Sequence, residues 1–263
     1  MLLRTERLTK SFGGLMAVNA VDFAISSGEV VSIIGPNGSG KTTFFNVLSG
    51  ILPATGGKVS FNDRDVTLHK AHQMTALGMA RTFQNIRLFQ NLTVRDNIIV
   101  GRFSRSQSGL LDGVIRSPRL RREERENEAK AQELLQFVGL YQQQDVKAKN
   151  LPYGAQRRLE VARALACEPA LLMLDEPAAG MNPREVDELL SLIGKLKDRG
   201  LTILLIEHQM RLVMSIAERV VVFDHGMKIA EGRPEAVRKD AKVIEAYLGV
   251  EEHRFVRRKA NQR

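Results

Sequence analysis

Val30-Val-Ser-Ile-Ile-Gly-Pro-Asn-Gly-Ser-Gly-Lys-Thr-Thr-Phe-Phe-Asn-Val-Leu-Ser-Gly50 is the stretch on which the fold turns. Its opening run, Val30 to Ile34, is β-branched and uninterrupted, which reads as a strand buried on both faces and ended by Gly35. From Lys41 onward the pattern becomes helical and stops at Gly50. Between them, Gly35-Pro-Asn-Gly-Ser-Gly-Lys-Thr42 fills every fixed position of the phosphate-loop pattern, in the strand-to-helix setting that the pattern requires. Glycines let backbone N–H groups wrap around phosphate oxygens, and the helix N-terminus adds partial positive charge. Lys41 is placed to reach the β and γ phosphates and the Thr42 hydroxyl to ligate Mg²⁺, so Gly35, Pro36, Asn37, Gly38, Ser39, Gly40, Lys41, Thr42 and Thr43 are the candidate nucleotide contacts.

Such a loop needs a carboxylate for the metal and a group to orient the attacking water. Leu171-Leu-Met-Leu-Asp-Glu176 offers both at the end of a strand: Asp175 toward Mg²⁺ and Glu176 as general base. The strand Leu201 to Ile206 ends similarly at Glu207-His208, where His208 is either a solvated residue or a γ-phosphate contact. A third feature is Asn150-Leu-Pro-Tyr-Gly-Ala-Gln-Arg-Arg-Leu-Glu-Val-Ala-Arg-Ala-Leu165, which turns at Pro152 to Gly154 and runs into an arginine-rich helix. A helix start with unpaired N–H groups is a seat for an anion.

Outward from these sites the chain alternates. Val21 to Ile25 and Gly57 to Phe61 read as strands, Leu171 to Leu174 and Val220 to Phe223 likewise, and Met210 to Ala217 as a helix. Pro183 to Lys197 is a helix with Asn182 as N-cap and Val186, Leu189, Leu190, Ile193 and Leu196 on one face. Between about Thr93 and Gly139 strand-like runs vanish and charge rises through Arg116 to Arg125, which marks a helical insert; Glu123 to Val138 is charged first and apolar late, and a loop from Gln142 to Asn150 follows. The arginines of the insert read as a solvated face, with anionic headgroups as the sharper alternative. Alternating strands and helices predict an α/β fold with a mostly parallel sheet covered on both sides.

With 43% hydrophobic residues among 263, the chain can bury a core, and its formal charge of +9 suits a polyanion, an anionic membrane surface or simply a solvated surface. The single Cys167 excludes an internal disulfide framework and reads as a buried thiol. No apolar run approaches the roughly 20 residues needed to cross a bilayer, so a cytosolic chain is expected.

The motifs taken together resemble the ATP-binding cassette ATPases. The phosphate loop, Gln84 in Arg81-Thr-Phe-Gln84, the turn at Leu151 to Gln156, Asp175-Glu176, Ala179-Gly-Met-Asn182 and His208 occur in that family's order. Phe12-Gly-Gly-Leu-Met-Ala-Val-Asn19, Arg81 to Phe89, Asp175-Glu-Pro-Ala-Ala-Gly180, Ile206-Glu-His208 and Ala246-Tyr-Leu-Gly249 resemble the ATP-binding subunits of bacterial branched-chain amino-acid importers. The resemblance implies a P-loop NTPase (RecA-like) core with an N-terminal antiparallel β subdomain and an inserted α-helical subdomain. Residues 1–90 would carry the first part of the nucleotide-binding core, 91–158 the helical subdomain ending in the signature turn, 159–250 the second part of the core, and 251–263 a frayed basic tail.

By the same resemblance Phe12 would stack on adenine beside Val18, Gln84 would join Thr42 and Asp175 at Mg²⁺, and His208 would hold the γ-phosphate alongside Lys41 and Glu176. Two cassettes would pair head to tail, with Tyr153, Gly154 and Ala155 facing ATP on the partner's loop. Implied partners are a second cassette, two integral membrane permease subunits and, indirectly, a periplasmic binding protein, with no nucleic acid, at the cytoplasmic side of the bacterial inner membrane. Ile86, Leu88 and Phe89 read as core residues or as the wall of a groove for a permease helix. The alternatives are the ATPase of a lipopolysaccharide exporter, against which the insert Ser104 to Arg119 speaks, and a soluble cassette acting on ribosomes or DNA.

Two departures stand out. The signature reads Leu151-Pro-Tyr-Gly-Ala155 where the family has Leu-Ser-Gly-Gly-Gln, so Pro152 supplies neither a hydroxyl nor an N–H, and the expectation is that Gly154 and the amides after it carry the phosphate contact at a slower site. The family's aspartate after the Walker B strand is Asn182 here.

Overall fold

The computed structural model describes residues 1–105 and 117–247. The Ser108–Gly113 motif, Arg116 and the C-terminal tail, to which the sequence assigned an insert, a basic patch and a frayed end, lie outside the described residues. In chain order the elements are β1 (Leu3–Phe12), β2 (Leu15–Ile25), β3 (Val30–Ile34), α1 (Lys41–Leu48), β4 (Gly56–Phe61), β5 (Arg64–Asp65), α2 (Ala71–Ala76), β6 (Met79–Arg81), α3 (Val94–Arg102) and α4 (Pro118–Phe137). There follow α5 (Tyr153–Leu165), β7 (Leu171–Asp175), α6 (Pro183–Asp198), β8 (Thr202–Ile206), α7 (Met210–Ile216), β9 (Arg219–Asp224), β10 (Met227–Gly232) and α8 (Pro234–Val237). The chain divides into two compact units, Met1–Ala71 with Ile193–Arg263, and His72–Leu192.

The first unit holds an antiparallel sheet in the order β2-β1-β4-β5. It also holds a run in which β3 is parallel to both β8 and β9, and β9 is antiparallel to β10. Every residue of β3 and β8 is buried, as an uninterrupted apolar strand demands. Ile34, Val213, Val220, Val222, Val237 and Val243 form one apolar cluster at the end of β3 that feeds the phosphate loop. Phe44 of α1 packs edge-on against Phe23 at 5.7 Å and against Phe223 at 5.1 Å, which fixes the helix that follows the loop.

In the second unit β6 and β7 are parallel, and α3 packs against both α4 and α5. Asn97 is fully buried and ties the segment before α3: its amide donates to Phe89 O at 3.1 Å and Thr93 O at 2.9 Å and accepts from Phe89 N. Leu88 is buried, Ile86 half-buried and Phe89 exposed.

Several expectations need correcting. Strand β1 escaped the sequence reading because its buried positions include polar residues: Thr5 is buried with its hydroxyl donating to Val21 O at 2.9 Å. Within the expected helical insert, α4 begins at Pro118, with Ser117 accepting the Leu120 N–H as N-cap. On α6 the buried stripe is Val186, Leu189, Leu192, Ile193 and Leu196, with Leu192 in place of Leu190. Cys167 is half-buried, its thiol 3.4 Å from Gly101 O.

Candidate functional site

In the first unit the phosphate loop stands between β3 and α1 as the sequence predicted. The start of α1 has no side-chain cap, and a helix N-terminus of this kind favours an anion. Gly40, at φ 98°, occupies the left-handed region, and a Cβ there would lie 2.2 Å from the Ala17 carbonyl oxygen, so only glycine fits. Lys41 is buried at 7% exposure and its ammonium turns back into the loop, donating to Gly35 O at 2.8 Å, Pro36 O at 2.7 Å and Ser39 Oγ at 3.4 Å. A cation held among loop carbonyls is already where a phosphate would need it. Asn37, Gly38 and Thr42 are exposed and Thr43 is half-buried, while Pro36 and Ser39 are buried.

Two partners of the loop were missed by the sequence reading. The two-residue turn His225-Gly226, with φ 44° and 78°, closes the β9–β10 hairpin and donates the Gly226 N–H to Ser39 O at 3.0 Å. An alternating β10 would have signalled the hairpin, but its residues are exposed or half-buried throughout. The second is Tyr247, whose phenol is pushed up by burial against the opposing pull of a hydrogen bond with the Gly35 backbone.

Phe12 is exposed at 46% at the β1–β2 turn, with Lys10 Nζ 5.0 Å over its ring. Val18 is fully buried in β2, so its side chain is closed to solvent. His208 is exposed directly after a fully buried Glu207, whose carboxylate accepts the His208 N–H at 3.0 Å and the Gln209 N–H at 3.2 Å. The buried carboxylate thereby fixes the backbone from which the imidazole projects.

The second unit gathers the other candidates. Asp175 ends β7 almost wholly buried and accepts from Arg81 Nη2 at 2.8 Å. Burial pushes the Asp175 carboxyl above the ordinary carboxylate range despite the Arg81 charge, and burial likewise lowers the Arg81 guanidinium. Glu176 follows with a positive φ of 47°, which turns its side chain off the strand, and its Oε2 accepts from Gln84 Nε2 at 2.9 Å. The predicted base and the predicted metal ligand therefore touch.

At the signature turn, α5 begins at Tyr153 with Pro152 as an N-cap lacking any side-chain bond. Its start is nonetheless partly occupied: Gly154 N–H donates to Glu185 Oε1 at 3.1 Å. Tyr153 Oη donates to Ala179 O at 2.9 Å, and Ala155 is buried at 5%. Asn182 caps α6 as expected, its Oδ1 accepting the Glu185 N–H at 3.0 Å while Glu185 Oε2 accepts the Asn182 N–H at 3.0 Å.

Within the second unit Gln84 offers an exposed amide and Asp175 a carboxylate, hard oxygen donors of the kind a magnesium ion takes, and within the first unit Thr42 offers an exposed hydroxyl of the same kind. Among the described residues no group of three or more His, Cys, Asp or Glu could hold a metal ion.

The family model described as ABC transporter matches residues 18–179, and the one described as branched-chain amino acid ATP-binding cassette transporter matches residues 227–253. The chain is 45% identical, over 94% of its length and 98% of the relative, to the high-affinity branched-chain amino acid transport ATP-binding protein LivG of Salmonella typhimurium. It is 45% identical with the same coverage to BraF of Pseudomonas aeruginosa, which carries the same description. Among solved structures, the ADP conformation of MJ1267, an ATP-binding cassette of an ABC transporter, superposes with a TM-score of 0.82 at 35% identity, over 94% of this chain and 98% of the other. Phosphate loop, acidic strand end, signature turn and whole-chain likeness converge: the chain belongs to the ABC transporter family and is one of its ATP-binding, ATP-hydrolysing subunits.

Proposed function

We propose that this subunit energises the import of branched-chain amino acids, sitting peripherally at the cytoplasmic face of a bacterial inner membrane. The observation that carries the reading is near full-length identity to relatives described as branched-chain amino acid transport proteins, joined to a phosphate loop with its cation already in place. No described helix is long and apolar enough to cross a membrane, and membrane attachment is proposed to fall to partners. Those partners are two permease subunits and a second cassette paired head to tail, with a periplasmic binding protein supplying cargo.

Within the subunit, Phe12 receives adenine, and Gly35 to Thr43 wrap the phosphates with Lys41 as counter-charge. Thr42, Asp175 and Gln84 would hold Mg²⁺, which would supply neutralisation of the phosphate charge. Glu176 takes the proton of the attacking water, and His208 steadies the γ-phosphate. Tyr153, Gly154 and Ala155 address the partner's nucleotide. In this reading segments 1–90 and 159–250 make the nucleotide-binding core and 91–158 the helical subdomain.

The test is a gentle detergent pull-down of the chain from its own cells with mass spectrometry of what co-purifies. Two polytopic membrane proteins and a second cassette are expected. Ribosomal or DNA-repair proteins without a membrane partner would overturn the transport reading and leave ATP hydrolysis in place.

A further inference from the structure

Arg157 was left by the helical pattern as one charge among several on α5, but it is 3% exposed. Its Nη1 donates to Phe83 O at 2.8 Å and to Glu160 Oε2 at 3.3 Å. Its Nη2 donates to Tyr153 Oη at 2.9 Å and to Gln84 O. The phenol that accepts from Arg157 passes its own proton on to Ala179 O, and Gln84 Nε2 donates to Glu176 Oε2 at 2.9 Å. One guanidinium thus joins the signature helix, the backbone on either side of the Phe83–Gln84 peptide, and, through Tyr153, the turn that follows Glu176. All of these residues belong to the second unit.

We propose that Arg157 is a positioning residue for ATP hydrolysis, locking the Gln84 backbone to the start of α5 so that the Gln84 amide meets Glu176. The inference rests on the roles proposed above for Gln84 and Glu176. Its physical basis is the planar fork of arginine, which presents several donors in fixed directions; a lysine carries the same charge on a single nitrogen and cannot span two carbonyls, a phenol and a carboxylate together. With the fork gone, the Gln84 segment is free to shift against α5. A 1 Å misplacement of a group beside the base is costly to the chemical step, whereas the phosphate loop, which binds ATP, is untouched.

The experiment is ATPase kinetics on the full chain for Arg157→Lys, Tyr153→Phe, the double variant and Glu176→Gln, with equilibrium binding of a fluorescent ATP analogue and thermal melting of each. Arg157→Lys is expected to lower kcat about tenfold or more while KM for ATP and analogue binding stay at wild-type values. Tyr153→Phe is expected to lower kcat less, and the double variant to be no slower than Arg157→Lys alone, because both remove one network. Wild-type kcat in Arg157→Lys, losses that add in the double variant, or a loss seen in ATP binding in place of turnover would overturn the proposal. Should Arg157→Lys fail to fold, Tyr153→Phe, altered at a half-exposed ring, carries the test, and an unchanged kcat there overturns it. Rapid turnover in Glu176→Gln would instead defeat the assignment of the base, so the two failures are distinguishable.

Discussion

Glu185 Oε1 accepts the Gly154 N–H at 3.1 Å, so an internal carboxylate sits on an amide at the start of the signature helix. Its other oxygen completes the capping box with Asn182 at 3.0 Å. In the proposed head-to-tail pair Pro152 brings no N–H and no hydroxyl, so Gly154 would be among the few donors left for the partner's phosphate, with Glu185 competing for it. Glu185→Gln keeps one acceptor oxygen, enough for one of the two contacts, and removes the charge that competes with phosphate. Nucleotide-dependent pairing of the cassettes is expected to tighten several-fold, as weakening a charged hydrogen bond worth about 1.5–3 kcal/mol should allow. Sedimentation with ATP, in a Glu176→Gln background that prevents turnover, measures this; weaker pairing would mean that the carboxylate serves only as a helix cap.

Lys41 makes three contacts inside its own loop, two of them to backbone carbonyls. Those carbonyls attract the cation without neutralising it, so a phosphate still gains the full charge on arrival. Lys41→Ala should therefore weaken ATP binding roughly ten- to hundredfold, the equivalent of one charge-assisted hydrogen bond. Calorimetric titration gives the constant, and melting without nucleotide checks the fold. Wild-type affinity in a folded variant would place the phosphates elsewhere.

How much of this could be read beforehand depended on whether the partners are neighbours in sequence. Gly35 to Thr42 is contiguous, and its geometry follows from the loop's own glycines, so strand, loop and helix all stand where the residues put them. Asp175 and Glu176 were equally legible as an acidic pair ending a buried strand. The buried pairing of Arg81 with Asp175 was not, since 94 residues separate them and nothing in local periodicity marks an arginine for burial. Arg157 went unmarked for the same reason: helical spacing assigns faces, but a charged residue on an inward face is buried only when distant backbone carbonyls, here of Phe83 and Gln84, are delivered to it. The hairpin turn at Gly226 was hidden because β10 is exposed or half-buried along its length and so carries no alternation.

Gly40 is constrained from two sides, by its φ of 98° and by the Ala17 carbonyl oxygen 2.2 Å from where a Cβ would stand. The neighbour is backbone of β2 and cannot rotate away. Gly40→Ala should cost about 3 kcal/mol or more, combining a left-handed backbone penalty with a steric overlap. Urea melts of the full chain measure it. A loss below about 1 kcal/mol would show that β2 shifts to admit the methyl group.

Glu29 gives the structure a dependence on acid. Burial alone would raise its carboxyl, but hydrogen bonds from Arg219 and the Ser26 N–H, with the Arg219 charge, outweigh burial and hold it below its ordinary value near 4.5. The pairing is bidentate, with Arg219 Nε to Oε1 at 2.7 Å and Nη2 to Oε2 at 2.9 Å, and it links the start of β3 to the start of β9. A carboxyl whose folded pKa is depressed stabilises the fold above its unfolded pKa, and that contribution fades as pH falls through the folded value. Glu29→Gln should therefore be less stable than wild type by about 1–3 kcal/mol at neutral pH, with the gap narrowing once the pH drops below about 4.5 and closing at still lower pH. Denaturant melts of the two chains across that range supply the comparison. A gap that persists unchanged into strong acid would mean that the loss comes from packing around Arg219 and owes nothing to the charge on Glu29.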